Sequence, residues 1–174
     1  MVGVFPHPLT PCIAPRLRLP QGIASGCLNL MDGPTRSTGA ILSHSAINKN
    51  EGGLIAGGGG GVYMGPYTYL TISFTSFTGN RAKRGGAIMT MPSARLTIRH
   101  CMFADNRAYV VGGAIASELA TLTIISTQFV SNIASGLGAA LHINQPNEIP
   151  IVSTTFTPYV DGALVVFIGG RLAG

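Results

Sequence analysis

The residues of this chain that could carry chemistry are few, and their spacing decides between the uses open to them. Six carboxylates are present, Asp32, Glu51, Asp105, Glu118, Glu148 and Asp161. Acid–base work on a sugar bond, or a calcium site, needs such groups gathered on one face. No two of these six fall at a spacing that gathers them. His44 and His100 are candidate metal ligands, and Cys12, Cys27 and Cys101 make an odd number of thiols. A disulfide framework is not indicated by three cysteines, although one Cys12–Cys27 bridge fits a secreted chain. The tract Gly57–Gly61 resembles a phosphate loop only superficially. No Gly-Lys-Ser/Thr follows it and no strand–loop–helix unit surrounds it, so it reads as a bend.

The basic residues are more concentrated. Of 11 lysines and arginines against 6 acids, net charge +5, four stand close together at Arg81, Lys83, Arg84 and Arg107. They fall between an Asn and a Gly pair in two related segments, which places them on a turn. Such a cluster draws anions by its field. The ligand class it fits is an anionic glycan or a lipid headgroup on a host surface. Aromatic residues do not interleave with the cluster, so nucleic acid is not the expected partner. No cofactor is implied.

What positions these residues is a repeat. The segment LTIRHCMFADNRAYVVGGAI at 96–115 follows LTISFTSFTGNRAKRGGAI at 70–88 and precedes LTIISTQFVSNIASGLGAAL at 122–141. Leu-x-Ile recurs at 70/72, 96/98 and 122/124, a step of 26 each time. Phe-x-x-Asn recurs at 77–80, 103–106 and 129–132 with the same step, and the small-residue block at 85, 112 and 138 with steps of 27 and 26. Landmarks that hold register over several copies mark a repeat architecture.

Within a copy, the alternation of Leu, Thr and Ile predicts a strand with Leu and Ile inward and Thr outward. A Gly pair inside a helix costs about 1 kcal/mol per residue relative to Ala, so the pair belongs to a tight corner. Each copy is therefore two or three short strands joined by bends. Such a unit buries its apolar face only by stacking on its neighbours, about 4.8 Å per rung. Leu70, Leu96 and Leu122 then form one inward column, Ile72, Ile98 and Ile124 a second, and Phe77, Phe103 and Phe129 a third. Asn80, Asn106 and Asn132 form a ladder at a bend, each amide bonding the rungs on either side, with Asn tolerating left-handed backbone there. The predicted class is all-β, a right-handed parallel β-helix of about five rungs with degenerate outer ones, the hand following the rule for parallel crossovers. A leucine-rich horseshoe is the rival. It fails at Thr75, Cys101 and Thr127, where a Leu is required, and at the Gly-Gly that replaces its convex segment.

Gly-Gly-Ala-Ile alternating with Phe-x-x-Asn resembles the double signature of the polymorphic outer-membrane-protein repeats of chlamydiae. The chain shows GGAI at 85–88 and 112–115, GAAL at 138–141, and FTGN, FADN and FVSN at 77, 103 and 129. The resemblance extends over about residues 40–165. It implies a right-handed β-helix, an extracellular or outer-membrane location, and an adhesin role as an autotransporter passenger. Members of that family carry a C-terminal membrane barrel, and no such barrel is visible after residue 165. The expectation is therefore a fragment or a truncated member.

In domain terms, 1–38 reads as a Pro-rich irregular leader, 39–168 as the repeat domain and 169–174 as a tail. No signal peptide is convincing in the leader, because prolines interrupt every apolar stretch. No run of ~18 apolar residues occurs, so no transmembrane helix is expected. A degenerate rung is expected near Ala40, with Leu42 over Ile72, Ile47 over Phe77, Asn50 over Asn80 and Gly60-Gly61-Val62-Tyr63 over Gly85–Ile88. Glu51–Gly59 then becomes a bulged loop. A last degenerate rung runs from Ile149-x-Ile151 through Phe156 and Tyr159 to Gly162-Ala163-Leu164, and the apolar run Leu164–Ile168 either caps the stack or marks truncation of a longer one.

Register also settles the remaining candidates. His44 and His100 share a column with Phe74 between them, so they stand about 10 Å apart, too far to share a zinc ion. Asp105 aligns with Gly79 and Ser131, so no acidic column forms. Cys101 replaces Thr75 and Thr127 at a position read as outward, a free thiol. Thr71, Thr97 and Thr123 form an outward ladder of the kind ice-binding β-helices use, but the neighbouring column Ser73, Arg99 and Ile125 is neither flat nor repetitive. The expected function is a non-enzymatic surface or secreted repeat protein. A remnant polysaccharide lyase or hydrolase and an ice-binding helix are the rivals.

Overall fold

The structure is a computed structural model that describes residues 23–24, 28–30, 39–52, 58–145, 149–157 and 165–168. Among these residues every strand pairing is parallel, and the strands form four sheets that run along a solenoid. The first face stacks Gly39–Ser43, Tyr69–Ser73, Arg95–Arg99, Thr121–Ile125 and Ile151–Val152. The second stacks Ile23–Ala24, Ala46–Asn48, Ser76–Thr78, Met102–Ala104, Gln128–Val130 and Thr155–Thr157. A third, shorter face holds Arg81–Arg84, Arg107–Val111 and Ile133–Ala134. The fourth stacks Leu28–Leu30, Val62–Met64, Ile88–Thr90, Ile115–Glu118, Leu141–Asn144 and Val165–Ile168.

The repeat sets the register. Leu70, Leu96 and Leu122 pair in line, as do Ile72, Ile98 and Ile124, and all six are buried. Phe77, Phe103, Phe129 and Phe156 stack with ring centroids 4.7, 5.0 and 4.9 Å apart, one ring per rung. Stacks of identical side chains fill the interior because each rung repeats the shape of the last.

Faces meet at corners where one residue adopts left-handed backbone. At the first corner these are His44, Phe74, His100, Ser126 and Ser153; at the second Lys49, Gly79, Asp105 and Ser131; at the third Gly59, Gly85, Gly112 and Gly138; at the fourth Tyr67, Ser93 and Leu119. A non-Gly residue in that region costs of order 1 kcal/mol, which the rung-to-rung ladder offsets. The third corner must have glycine for a second reason. A Cβ on Gly113 would lie 2.0 Å from Ala139 O, so consecutive rungs touch backbone to backbone there.

Several expectations change on contact with this structure. The asparagines do not take the left-handed geometry; the residue before each of them does, which frees the Asn side chain to turn inward. The glycine block of the early rung is shifted by one residue, because Val62 rather than Tyr63 lies opposite Ile88 and Gly59 takes the left-handed place of Gly85. Part of the segment expected to be an irregular leader joins the solenoid. Ile23–Ala24 pairs with Ala46 and Ile47, and Leu28–Leu30 pairs with Val62–Met64. Leu28 and Leu30 are buried, the inward positions of an apolar-x-apolar strand that follows the last of the clustered prolines. Val165–Ile168 pairs with Leu141–Asn144 as the last strand of the fourth face among the described residues. Cys12, Cys27, Gly53–Gly57, Tyr159, Gly162–Leu164 and the tail 169–174 lie outside the described residues, as do Asp32, Glu148 and Asp161.

Candidate functional site

The asparagine ladder braces the edge from which the basic residues project. Asn80 Nδ2 donates to Asn106 Oδ1 at 2.9 Å and to Ile47 O at 2.8 Å. Asn106 Nδ2 repeats the pattern on Asn132 Oδ1 and Phe77 O, both at 2.9 Å. Asn132 Nδ2 reaches Phe103 O at 2.8 Å, and Asn50 Nδ2 reaches Asn80 Oδ1 at 2.8 Å. Both side-chain donors of Asn80 and of Asn106 are therefore used, as buried polar groups require.

Immediately after each Asn the chain enters the short third face. The basic residues expected on a turn are on strands, with Arg81 and Arg107 directly in register, alternating with buried Ala82 and Ala108. Both arginines are exposed on the same side, one rung apart. The other members of the predicted cluster are differently placed. Arg84 Nη1 lies 3.3 Å from Glu118 Oε1, and Glu118 Oε2 also accepts from Asn144 Nδ2 at 2.9 Å. Its charge is committed to the fourth face, because Arg84 sits at the corner between the two. Lys83 is half-buried. On the outer side Glu51 lies in register with Arg81, placing one carboxylate beside the column.

A β-bulge on this face went unread in the sequence. Ala108 pairs with Ala82, but Val111 pairs with Arg84, so Tyr109 and Val110 together oppose Lys83. The extra residue rotates the strand, and both Tyr109 and Val110 face outward, 44% and 36% exposed. A bulge re-aims side chains in this way. Its trace in the sequence is the step of 27 rather than 26 between Gly85 and Gly112.

The other candidates disperse. His44 and His100 sandwich Phe74, with centroid distances of 5.0 Å on each side, and all three are exposed at the first corner. The imidazoles thus flank a ring rather than a metal. A shallow groove of about 450 Å³ lies beside this stack, lined by Phe74, His100, Cys101, Met102 and Gln128 among others. Cys101, expected outward, is buried as a free thiol. It occupies a column with Thr75 and Thr127, each of which donates its hydroxyl to the carbonyl two residues earlier, and Cys101 Sγ makes the same bond to Arg99 O at 3.1 Å. Burial pushes its thiol pKa up, against the pull of two backbone hydrogen bonds.

Glu51, Asp105 and Glu118 stand on separate columns, and among the described residues no three His, Cys, Asp or Glu side chains are arranged to hold a metal ion. His142 is buried on the fourth face, with Nδ1 unpartnered. Desolvation lowers its pKa, nearby Arg84 adds to that, and Glu118 opposes it. The threonine column Thr71, Thr97 and Thr123 continues into Ile41, which is 77% exposed and breaks the array. No helix among the described residues is long and apolar enough to cross a membrane.

Comparison with curated proteins and with solved structures returns no match. A family model does match: residues 74–90, which span one Phe-x-x-Asn turn, the exposed Arg81 and one Gly-Gly-Ala-Ile corner, are similar to the Chlamydia polymorphic membrane protein repeat.

Proposed function

We propose that this chain is a non-enzymatic, surface-displayed β-helix of adhesin type, an autotransporter-passenger-like segment that holds an anionic partner on its third face. The observation that supports the reading is the in-register pair Arg81 and Arg107, exposed on a face whose backbone is fixed from beneath by the asparagine ladder. Two arginines whose strands lie about 4.8 Å apart can both turn their donor forks to one acidic group. The repeat match at 74–90 supports display at a cell surface. Binding rather than catalysis is favoured because Glu118 is engaged by Arg84 and Asn144 and Asp105 has no acidic neighbour in its column.

The test compares wild type with Arg81→Ser/Arg107→Ser on immobilised heparin across a salt series. Wild type is expected to be retained at low salt and to elute as the Debye length falls below about 8 Å, with the double variant eluting earlier. Equal retention of the two proteins overturns the assignment. Cleavage of any member of an acidic and neutral polysaccharide panel, lost on Asp105→Ala, replaces it with the lyase or hydrolase reading.

A further inference from the structure

The anionic column does not stand alone on its face. Tyr109 follows Arg107 on the same strand with buried Ala108 between them, so the two side chains leave the same side of the strand from backbone positions about 7 Å apart. The bulge then adds Val110 to the outward surface. Tyr109 is 44% exposed there. Lys83 opposes it on one side, and Ser135, whose N–H bonds Ala108 O at 3.1 Å, follows on the other. Beyond Ser135 comes Gly136, exposed and bonded to Val110 O at 2.9 Å. The contrast with Phe74 is direct, since both of its faces are covered by His44 and His100.

Charge decides between two kinds of anion. A lipid surface is held by clusters of about 4–8 Lys and Arg, each contributing in proportion to its exposure. Here Glu118 takes Arg84, and Glu51 stands in register with Arg81. The positive field is therefore a narrow strip, too small for a bilayer and matched to one or two acidic groups. An acidic sugar ring offers both halves of the complement: a carboxylate or sulfate for the arginines and an apolar C–H face for the tyrosine.

Resting on the proposed function above, we infer that Arg81, Arg107, Tyr109 and Val110 form one subsite for an acidic saccharide, with the bulge as the device that adds Val110 to its apolar wall. The ring supplies selectivity for sugar over other anions. The arginines supply attraction that any anion shares.

The experiment titrates the full chain with a heparin-derived oligosaccharide and, separately, with vesicles of phosphatidylserine and phosphatidylcholine. It uses wild type, Tyr109→Ala, Tyr109→Phe and Arg81→Ser/Arg107→Ser, each checked for an unchanged urea midpoint. Tyr109→Ala is expected to weaken oligosaccharide binding about fivefold to tenfold, the scale of one aromatic contact, while Tyr109→Phe stays near wild type. Vesicle binding is expected to be weak and indifferent to Tyr109. Unchanged oligosaccharide binding by Tyr109→Ala overturns the subsite and leaves the arginine column standing. Unchanged binding by the arginine double variant overturns both. Vesicle binding tighter than oligosaccharide binding assigns the face to a lipid surface instead.

Discussion

Asn80 and Asn106 are joined twice: Asn106 Oδ1 accepts from Asn80 Nδ2 at 2.9 Å and from the Asn80 backbone N–H at 3.0 Å. One oxygen thus satisfies two donors of the rung before it, and the same relation holds between Asn106 and Asn132. Both residues are fully buried, so none of these groups can turn to water.

Removing one rung of the ladder is therefore expensive on both sides. Asn106→Ala strands the Asn80 donors and leaves Phe77 O and Asn132 Oδ1 short of a partner. Unsatisfied buried groups cost about 1–3 kcal/mol each, so the expected loss is at least about 3 kcal/mol. Asn106→Asp keeps the acceptor but loses the donor and buries a charge, so it should be no better at neutral pH. Urea unfolding of the two variants measures this; a loss under 1 kcal/mol for Asn106→Ala would show that the ladder is incidental.

Two glycines separate steric need from conformational need. A Cβ on Gly86 would meet Gly113 O at 2.1 Å, while at Gly79, φ +65°, it would meet only Lys49 Cγ at 3.5 Å. Gly79 shares its left-handed corner with Lys49, Asp105 and Ser131, so side chains are accepted there. Gly79→Ala is expected to cost about 1 kcal/mol through backbone preference alone. Gly86→Ala forces rungs apart and should lower the thermal midpoint several times more. Similar midpoints for the two variants would contradict the close approach at the third corner.

Much of this was legible from spacing. A step of 26 in Leu, Ile, Phe and Asn fixed the inward columns, because in a solenoid equal spacing means equal place in the rung. The site was harder to read. Arg81 and Arg107 share a column by the same arithmetic, but the partner of Arg84 is Glu118, 34 residues away on another face, and no repeat relates them. Tyr109 was hidden for a different reason. It stands outward by the same alternation as Arg107, but its neighbours in the column are Lys83 and Ser135, so the repeat does not single out an aromatic there. The bulge beside it is marked only by one step of 27. Counting by twos from Ile98 puts Cys101 outward, but the left-handed corner at His100 shifts the phase, and Cys101 falls in step with buried Phe103.

The stability of the fold should depend on pH through His142. Burial lowers its pKa in the folded chain, so the unfolded chain binds a proton first as pH falls. Stability is then constant above the ordinary histidine range, begins to fall near pH 6.5 and continues to fall until the depressed folded value is passed. His142→Val removes the titration and suits a column that continues into Val166. Urea midpoints at pH 7.5, 6.5 and 5.5 should decline for wild type and flatten for the variant. Parallel declines would place the acid sensitivity elsewhere.

Cys101 offers a comparison that the protein makes within itself. Its neighbours in the column, Thr75 and Thr127, donate to Ser73 O at 2.8 Å and Ile125 O at 3.0 Å, and Cys101 Sγ copies the bond with a weaker donor. Cys101→Thr should therefore be tolerated within about 1 kcal/mol, with any shift toward greater stability, since a hydroxyl bonds a buried carbonyl better than a thiol does. Cys101→Val has nearly the shape of Thr without the donor, and should fall below Cys101→Thr by about the value of one hydrogen bond, 0.5–1.5 kcal/mol. The wild-type thiol, buried and with its pKa raised, should react with a disulfide reagent far more slowly in the folded chain than in urea. Rapid labelling of the folded protein would show that the thiol is reached by solvent, and equal stability of the Thr and Val variants would show that the corner hydroxyl column contributes nothing to holding the first and second faces at their angle.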